Sequence, residues 1–205
     1  VANGYDFDIV NDDLMSRRAN IADGEIEVAG YAYRVLVLPS TPVVPIETMR
    51  AIHAFARSGG LVIALGELPA SAAGLRHCDE NDRELKRLTA ELFAPDGGRP
   101  ALGVFLPDYT IERAPFNPGR QPYKPTPPLE EPQRRLLAAI ERVAPPDFAL
   151  AGRAQSDGLT FRHTRVGDVD IYFVCNLQPA SVATNVTFRV HGRTPMRWEI
   201  GRAHV

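Results

Sequence analysis

Cysteine is nearly absent: Cys78 and Cys175 are the only two in 205 residues. The first lies in the polar run Arg76-His77-Cys78-Asp79 and the second in the apolar run Tyr172-Phe173-Val174-Cys175, so they are not expected to meet. A disulfide framework or a thiolate metal centre needs more cysteines or closer spacing than this. Cys175 instead reads as a small core residue. An excess of one charge is missing as well. Lys and Arg number 23 against 25 Asp and Glu, a formal net charge of −2, and the two signs are interspersed. With no basic stripe to neutralise phosphates, nucleic acid is not an expected partner. No apolar run approaches the roughly 20 residues that cross a bilayer, so no membrane span is expected. Residues 1–5 lack the charged and then apolar order of a leader. The chain opens at Val1 in a segment that already reads as structured, so a leader could lie upstream, and localisation stays open.

What is present is 44% hydrophobic residues and 18 prolines. Domains run roughly 100 to 150 residues, so this length suits two modest cores. Residues 7–10 read as a short extended run. Asn11-Asp12-Asp13 then offers cap residues for a short helix over 14–18. Residues 25–31 alternate polar and apolar side chains and include Gly30, which fits a hairpin or edge strand. Arg34-Val35-Leu36-Val37-Leu38 is a branched apolar run, the pattern of a strand buried on both faces of a parallel sheet. After Pro45, Met49, Ile52, His53 and Ala56 fall on one helical face while Glu47, Arg50 and Arg57 face water, and Ser58-Gly59-Gly60 stops that helix. Leu61-Val62-Ile63-Ala64-Leu65 is a second buried strand, making a right-handed βαβ unit. Leu85, Leu88 and Leu92 mark another helix, with Asn81 as its cap, and Val104-Phe105-Leu106 adds a strand.

Prolines crowd residues 95–132, and regular structure is not expected over 107–129. Leu136, Leu137, Ile140 and Val143 restore helical spacing before Pro145-Pro146 and Phe148-Ala149-Leu150. From about residue 152 the period becomes that of strands, over 159–164, 169–176, 182–190 and 196–198, with a tight turn at 166–168. The fold class read from this is α/β: an open, mostly parallel sheet of the class I amidotransferase-like or flavodoxin-like kind over 1–151, then a partial antiparallel β-sandwich over 152–198. The last residues, Glu199-Ile200-Gly201-Arg202-Ala203-His204-Val205, show neither strand alternation nor a helical face, and they match the frame translation of a common sequencing adapter. Residues 199–205 are therefore expected to be non-native, His204 carries no functional weight, and the protein is expected to continue beyond Trp198.

The chemistry-bearing residues are few. An amidotransferase-like or hydrolase sheet places its nucleophile at the tight turn after a central strand, where backbone N–H groups can hold an oxyanion. Here that turn reads Gly66-Glu67-Leu68-Pro69, without cysteine or serine. Glu67 is a weak substrate-binding candidate at the strand end. Gly59-Gly60 lies at a helix end before a strand, the wrong order for a phosphate-cradling loop. Asp12 and Asp13 are weak candidates for a sugar hydroxyl or a cation, though a cap explains them more simply and no calcium-loop spacing follows. His163 shares a strand face with Phe161 and is the fourth weak candidate, for a sugar contact. Asn185-Val186-Thr187 fits a glycosylation sequon by chance. Glycoside hydrolysis needs two carboxyl groups about 5 to 10 Å apart, and no acid and base are assigned. No metal site and no cofactor are expected.

Three stretches together resemble the C-terminal part of the α-L-rhamnosidase-like enzymes of glycoside hydrolase family 106. They are Tyr5-Asp6-Phe7-Asp8-Ile9-Val10-Asn11-Asp12-Asp13-Leu14; Tyr33-Arg34-Val35-Leu36-Val37-Leu38-Pro39 with Gly59-Gly60; and Phe161-Arg162-His163 with Gly167-Asp168-Val169-Asp170-Ile171-Tyr172-Phe173-Val174-Cys175-Asn176. The first two are shared loosely with other glycosidases, including β-galactosidases. The resemblance implies a bacterial parent, secreted or periplasmic, that cleaves terminal rhamnose from polysaccharide. Its (β/α)8 barrel would lie upstream of Val1, carry the catalytic glutamates and meet the carbohydrate substrate. This chain would then be a non-catalytic accessory fragment. The competing reading is a carbohydrate-binding or oligomerisation module of another glycosidase, which would expose aromatic platforms; Phe161, Tyr172, Phe173 and Phe188 fall instead where strand cores claim them.

Overall fold

The fold is described from a computed structural model, over residues 3–95, 98, 100–110, 128–151 and 158–198. The crowded proline segment at 111–127 and the tail at 199–205 lie outside the described residues. The chain forms two compact units: among the described residues, 7–110 and 128–145 make one, and 3–6 with 146–198 make the other. The first is an α/β unit with a parallel sheet and the second is built of antiparallel strand pairs.

In the α/β unit, Asn11 Oδ1 accepts the Leu14 N–H at 2.9 Å and opens a single π-helical turn, Leu14–Arg18, closed by Ala19 N–H on Leu14 O. Next come β1 (Asn20–Ala22), β2 (Glu25–Val28) and β3 (Tyr31–Tyr33), an antiparallel sheet in that order. Its turns are Asp23-Gly24 and Ala29-Gly30, all four residues at positive φ, the geometry that matches the right-handed strand twist. The run expected over 7–10 belongs to no strand among the described residues. Phe7 and Ile9 are 63% and 89% exposed.

Strands β4 (Val35–Leu38) and β5 (Val43–Val44) lead to α1 (Ile46–Arg57) and β6 (Leu61–Leu65). β4 and β6 pair in parallel, Val35 to Leu61 through Leu38 to Ala64. Then follow β7 (Ser71–Ala72), paired in parallel with β5, α2 (Cys78–Phe93), and β8 (Val104–Leu106), parallel to β6. The sheet order β4-β6-β8 is sequential. One face, through Leu36, Leu38 and Val62, joins α1 and α2 in a core of Met49, Ile52, Phe55, Leu85, Leu88 and Leu92. The other face, through Ile63, Leu65 and Leu106, meets Leu136, Ala139 and Ile140 of α3 (Glu131–Glu141).

The end of α1 shows why two glycines stand together. Gly59 N–H bonds Ala56 O and Gly60 N–H bonds Phe55 O, a Schellman cap with Gly59 at φ +106°. A Cβ on Gly60 would lie 2.0 Å from the buried Phe55 ring. His53, expected on the packing face, sits at its margin and bonds Glu91; Phe55 fills the core instead. α2 begins at Cys78, ahead of the expected Asn81 cap. Asn81 lies within the first turns, and Asp82 Oδ1 pins that end by accepting Ala72 N–H of β7 at 2.6 Å.

The antiparallel unit contains β9 (Phe148–Leu150), β10 (Leu159–Val166), β11 (Val169–Asn176) and β12 (Val186–Phe188). β10 and β11 form a hairpin through Gly167-Asp168, and β9 pairs with β12. Phe148, Leu150, Leu159 and Phe161 make its core with Tyr172, Val182, Val186 and Phe188. Phe148 stacks on Phe161 with centroids 4.9 Å apart. The strand expected over 182–190 shrinks to three paired residues, and 196–198 forms no strand with the described residues, with Met196 and Trp198 each 80% exposed. Phe173 and Cys175, expected in the core, fall by alternation on the opposite face, where Phe173 is 53% exposed.

Candidate functional site

The densest polar cluster lies in the antiparallel unit around His163. The hairpin register sets His163 of β10 opposite Tyr172 of β11, two pairs inward from Arg165 and Asp170 and on the same face. The imidazole stacks on the Tyr172 ring at 4.2 Å with 5° between planes. Its Nε2 is 3.1 Å from Asp170 Oδ1, and its Nδ1 is 3.4 Å from Asp147 Oδ1. Asp147 is placed by the segment entering β9, where its N–H and that of Phe148 both bond Gly4 O. The Asp6 carboxylate accepts His163 N–H at 2.9 Å and pairs with Arg162 at 3.1 Å.

Two buried or nearly buried carboxylates thus flank the ring, a third, Asp6, holds the main chain of His163, and arginines answer them. Arg189 lies 2.6 Å from Asp147 Oδ1, and Arg193 lies 3.8 Å from Asp170 Oδ2. The approach of these groups to Asp147 Oδ1 is ionic and off the hydrogen-bond direction, since that oxygen is buried without an aligned donor. The Tyr172 hydroxyl is likewise buried with no hydrogen-bond partner among the described residues. Burial, reinforced by the Asp147 charge, pushes its phenol up to about 12.

This arrangement has a clear chemical limit. A glycosidase holds its two carboxyl groups across a sugar ring or a water. Here the space between Asp147 and Asp170 is filled by the imidazole that touches both. The cluster is organised to hold charge and to tie residues 3–6 to the strands, with no gap for a sugar between these two acids.

The other expected positions stand in the α/β unit and do not converge. Asp12 Oδ1 accepts the hydroxyl of buried Thr48 on α1 at 2.8 Å, and Asp13 pairs with Arg17 and Arg18, each at 3.3 Å. Both acids therefore serve the local turn and its packing, while the cap itself is Asn11. Glu67 follows Gly66, which has φ +69° and packs against Ser40 and the Tyr109 carbonyl, so the ends of β4, β6 and β8 meet at this turn. The Glu67 side chain is exposed and makes no hydrogen bond or ion pair with a described residue. Because the strand order does not reverse, the described sheet has no switch-point crevice to aim Glu67 into.

A cavity of about 270 Å³ is lined by His77, Cys78, Asp79, Glu80 and Arg83, near-consecutive residues at the start of α2. Among the described residues no three His, Cys, Asp or Glu side chains are placed to hold a metal ion. No described helix is long and apolar enough to cross a membrane.

Sequence reasoning singled out His163 but missed its partners. Asp170 was within reach, because a two-residue turn at 167–168 fixes the register that brings it to His163. Asp6, Asp147 and Arg189 were not, since no local pattern joins positions so far apart.

Comparison with known proteins supplies the class. The chain matches the family model for glycoside hydrolase family 106, described as alpha-L-rhamnosidase, over residues 1–204, a span that runs through the segment expected to be non-native. It belongs to that family. It is also 26% identical over 197 residues to a Formosa agariphila protein named "Putative beta-glucuronidase", covering 96% of this chain and 14% of that protein. The chain thus spans about a seventh of the length of this relative. No solved structure matches it.

Proposed function

We propose that this chain is a non-catalytic accessory part of a carbohydrate-degrading glycoside hydrolase, an α-L-rhamnosidase acting on polysaccharide. Its α/β unit is of the class I amidotransferase-like kind, and its antiparallel unit is part of a β-sandwich. Bond cleavage belongs to polypeptide outside these residues, on an upstream barrel that meets the carbohydrate. The observation that carries this reading is the filled space between Asp147 and Asp170: the best-positioned buried carboxylates are engaged by His163, Arg189 and Arg193. The empty chemistry of the Gly66-Glu67 turn supports the same reading. The name of the Formosa agariphila relative favours a second substrate for the parent, a β-linked glucuronide.

The test is turnover. The purified 205-residue chain is incubated with aryl α-L-rhamnoside and aryl β-D-glucuronide, beside the native protein that contains it. The chain is expected to release no aryl alcohol from either, while the native protein releases it from the rhamnoside. Rhamnoside cleavage by the chain alone, abolished in Asp147→Asn, would refute the accessory role. Cleavage of the glucuronide alone by the native protein would move the assignment to the second substrate.

A further inference from the structure

The outward face of the β10–β11 hairpin carries an exposed apolar stripe. Alternation puts Val169, Ile171, Phe173 and Cys175 of β11 on this face, beside Val166, Thr164, Arg162 and Thr160 of β10. Val166, Val169, Ile171 and Phe173 are 63%, 60%, 45% and 53% exposed. The inward face meanwhile supplies Phe161 and Tyr172 to the core. The polar residues of β11, Asp170 and Asn176, thus lie on the inward side, while its outward positions are apolar, the reverse of a strand whose outward face meets water. Contiguous exposed apolar surface of this kind marks a contact site.

We propose that this face is the docking surface for a further β-layer of the same polypeptide, lying outside these 205 residues. The proposal rests on the reading above that the chain is one part of a larger hydrolase, and it names the surface through which that part is built in. Two observations favour this occupant. The chain spans only 14% of the relative it matches along 96% of its own length, so the relative carries much additional polypeptide. The β11 side of the stripe is also aliphatic and aromatic, and beside it, between Thr160 and Thr164 of β10, Arg162 directs its guanidinium to Asp6 at 3.1 Å. Such a surface matches the apolar face of another sheet.

The experiment reads access to the face directly. Phe173→Cys is made with Cys78→Ser and Cys175→Ser, leaving one thiol, and Ile171→Cys is prepared in the same background as a second position. Modification by iodoacetamide is followed by mass spectrometry in the 205-residue chain and in the full native reading frame that contains it, each relative to its own urea-unfolded state. The thiol is expected to react freely in the chain and to be slowed about tenfold or more in the longer polypeptide, as for a site that opens only by local unfolding. Equal rates in the two would overturn the proposal, as would a native frame that adds no polypeptide. Protection that grows with the concentration of the 205-residue chain, alongside a doubled mass in light scattering, would assign the face to a second copy and overturn it as well. No turnover is measured, so this proposal can fail while the hydrolase reading stands.

Discussion

The two units solve the same problem differently. In the α/β unit the core between sheet and helices is apolar, and charged pairs stay outside it, among them Arg50 with Glu84 and His53 and Arg87 with Glu91 along the surface seam of α1 and α2. In the antiparallel unit the aromatic core adjoins a charged centre, where Asp6, Asp147 and Asp170 crowd around His163. The first arrangement needs only periodicity. The second joins residues more than 150 positions apart in the chain, Asp6 and His163. A unit whose centre is polar depends on every partner, because one left behind is a buried charge without an answer.

The largest expected loss tests the apolar side of that contrast. Phe55 is fully buried and its ring fills the space left by Gly60. Phe55→Ala should cost about 3–5 kcal/mol, read as an earlier urea midpoint in far-UV circular dichroism. The polar side should respond less but more selectively. Asp147→Asn keeps the shape yet strands Arg189 and one side of His163, at a cost of about 2 kcal/mol given the partial exposure of Arg189. Near-UV signals of the stacked Tyr172 should be lost before the helices melt; simultaneous loss would show that the units are not separately held.

The smallest effect belongs to the surface seam and carries a sign. The hydrogen bonds from Arg50 hold the Glu84 carboxyl below the usual glutamate range. For Glu91, burial pushes upward most strongly, but the bonds from Arg87 and His53 together outweigh it, and the net shift is down. Carboxyls depressed on folding stabilise the fold above their ordinary value near 4.5 and lose that contribution as pH falls through the depressed range. Melting temperature should therefore decline on acidification below that value, and the decline should be shallower in Glu84→Gln. An unchanged slope would show that the Arg50–Glu84 pair does not carry the acid sensitivity.

Much of the fold was legible in advance. The run at Leu61–Leu65 is buried as a strand covered on both faces should be, whereas Val35–Leu38, expected to be buried likewise, is an edge strand of the described sheet, half-buried with Val37 37% exposed. The helix between them announced its end in Gly59-Gly60. Residues 7–10 misled because extended propensity alone does not make a strand. Phe173 misled because an apolar strand residue was assigned to the core without asking which face the hairpin turns inward. Of the site, His163 was visible as a histidine on the Phe161 face and Asp170 was within reach through the hairpin register, while Asp6 and Asp147 were not.

By itself the sequence determined the family, the parallel βαβ layout and the hairpin with its register. These follow from periods and turns that act over a few residues, and from motifs that persist in the chain. Only the tertiary structure decided that Asp6 and Asp147 meet around His163, that its imidazole occupies the gap a sugar would need, and that the outward apolar stripe of β11 is exposed. Those outcomes depend on contacts between distant segments, whose partners are chosen by packing as a whole and leave no mark in any local stretch.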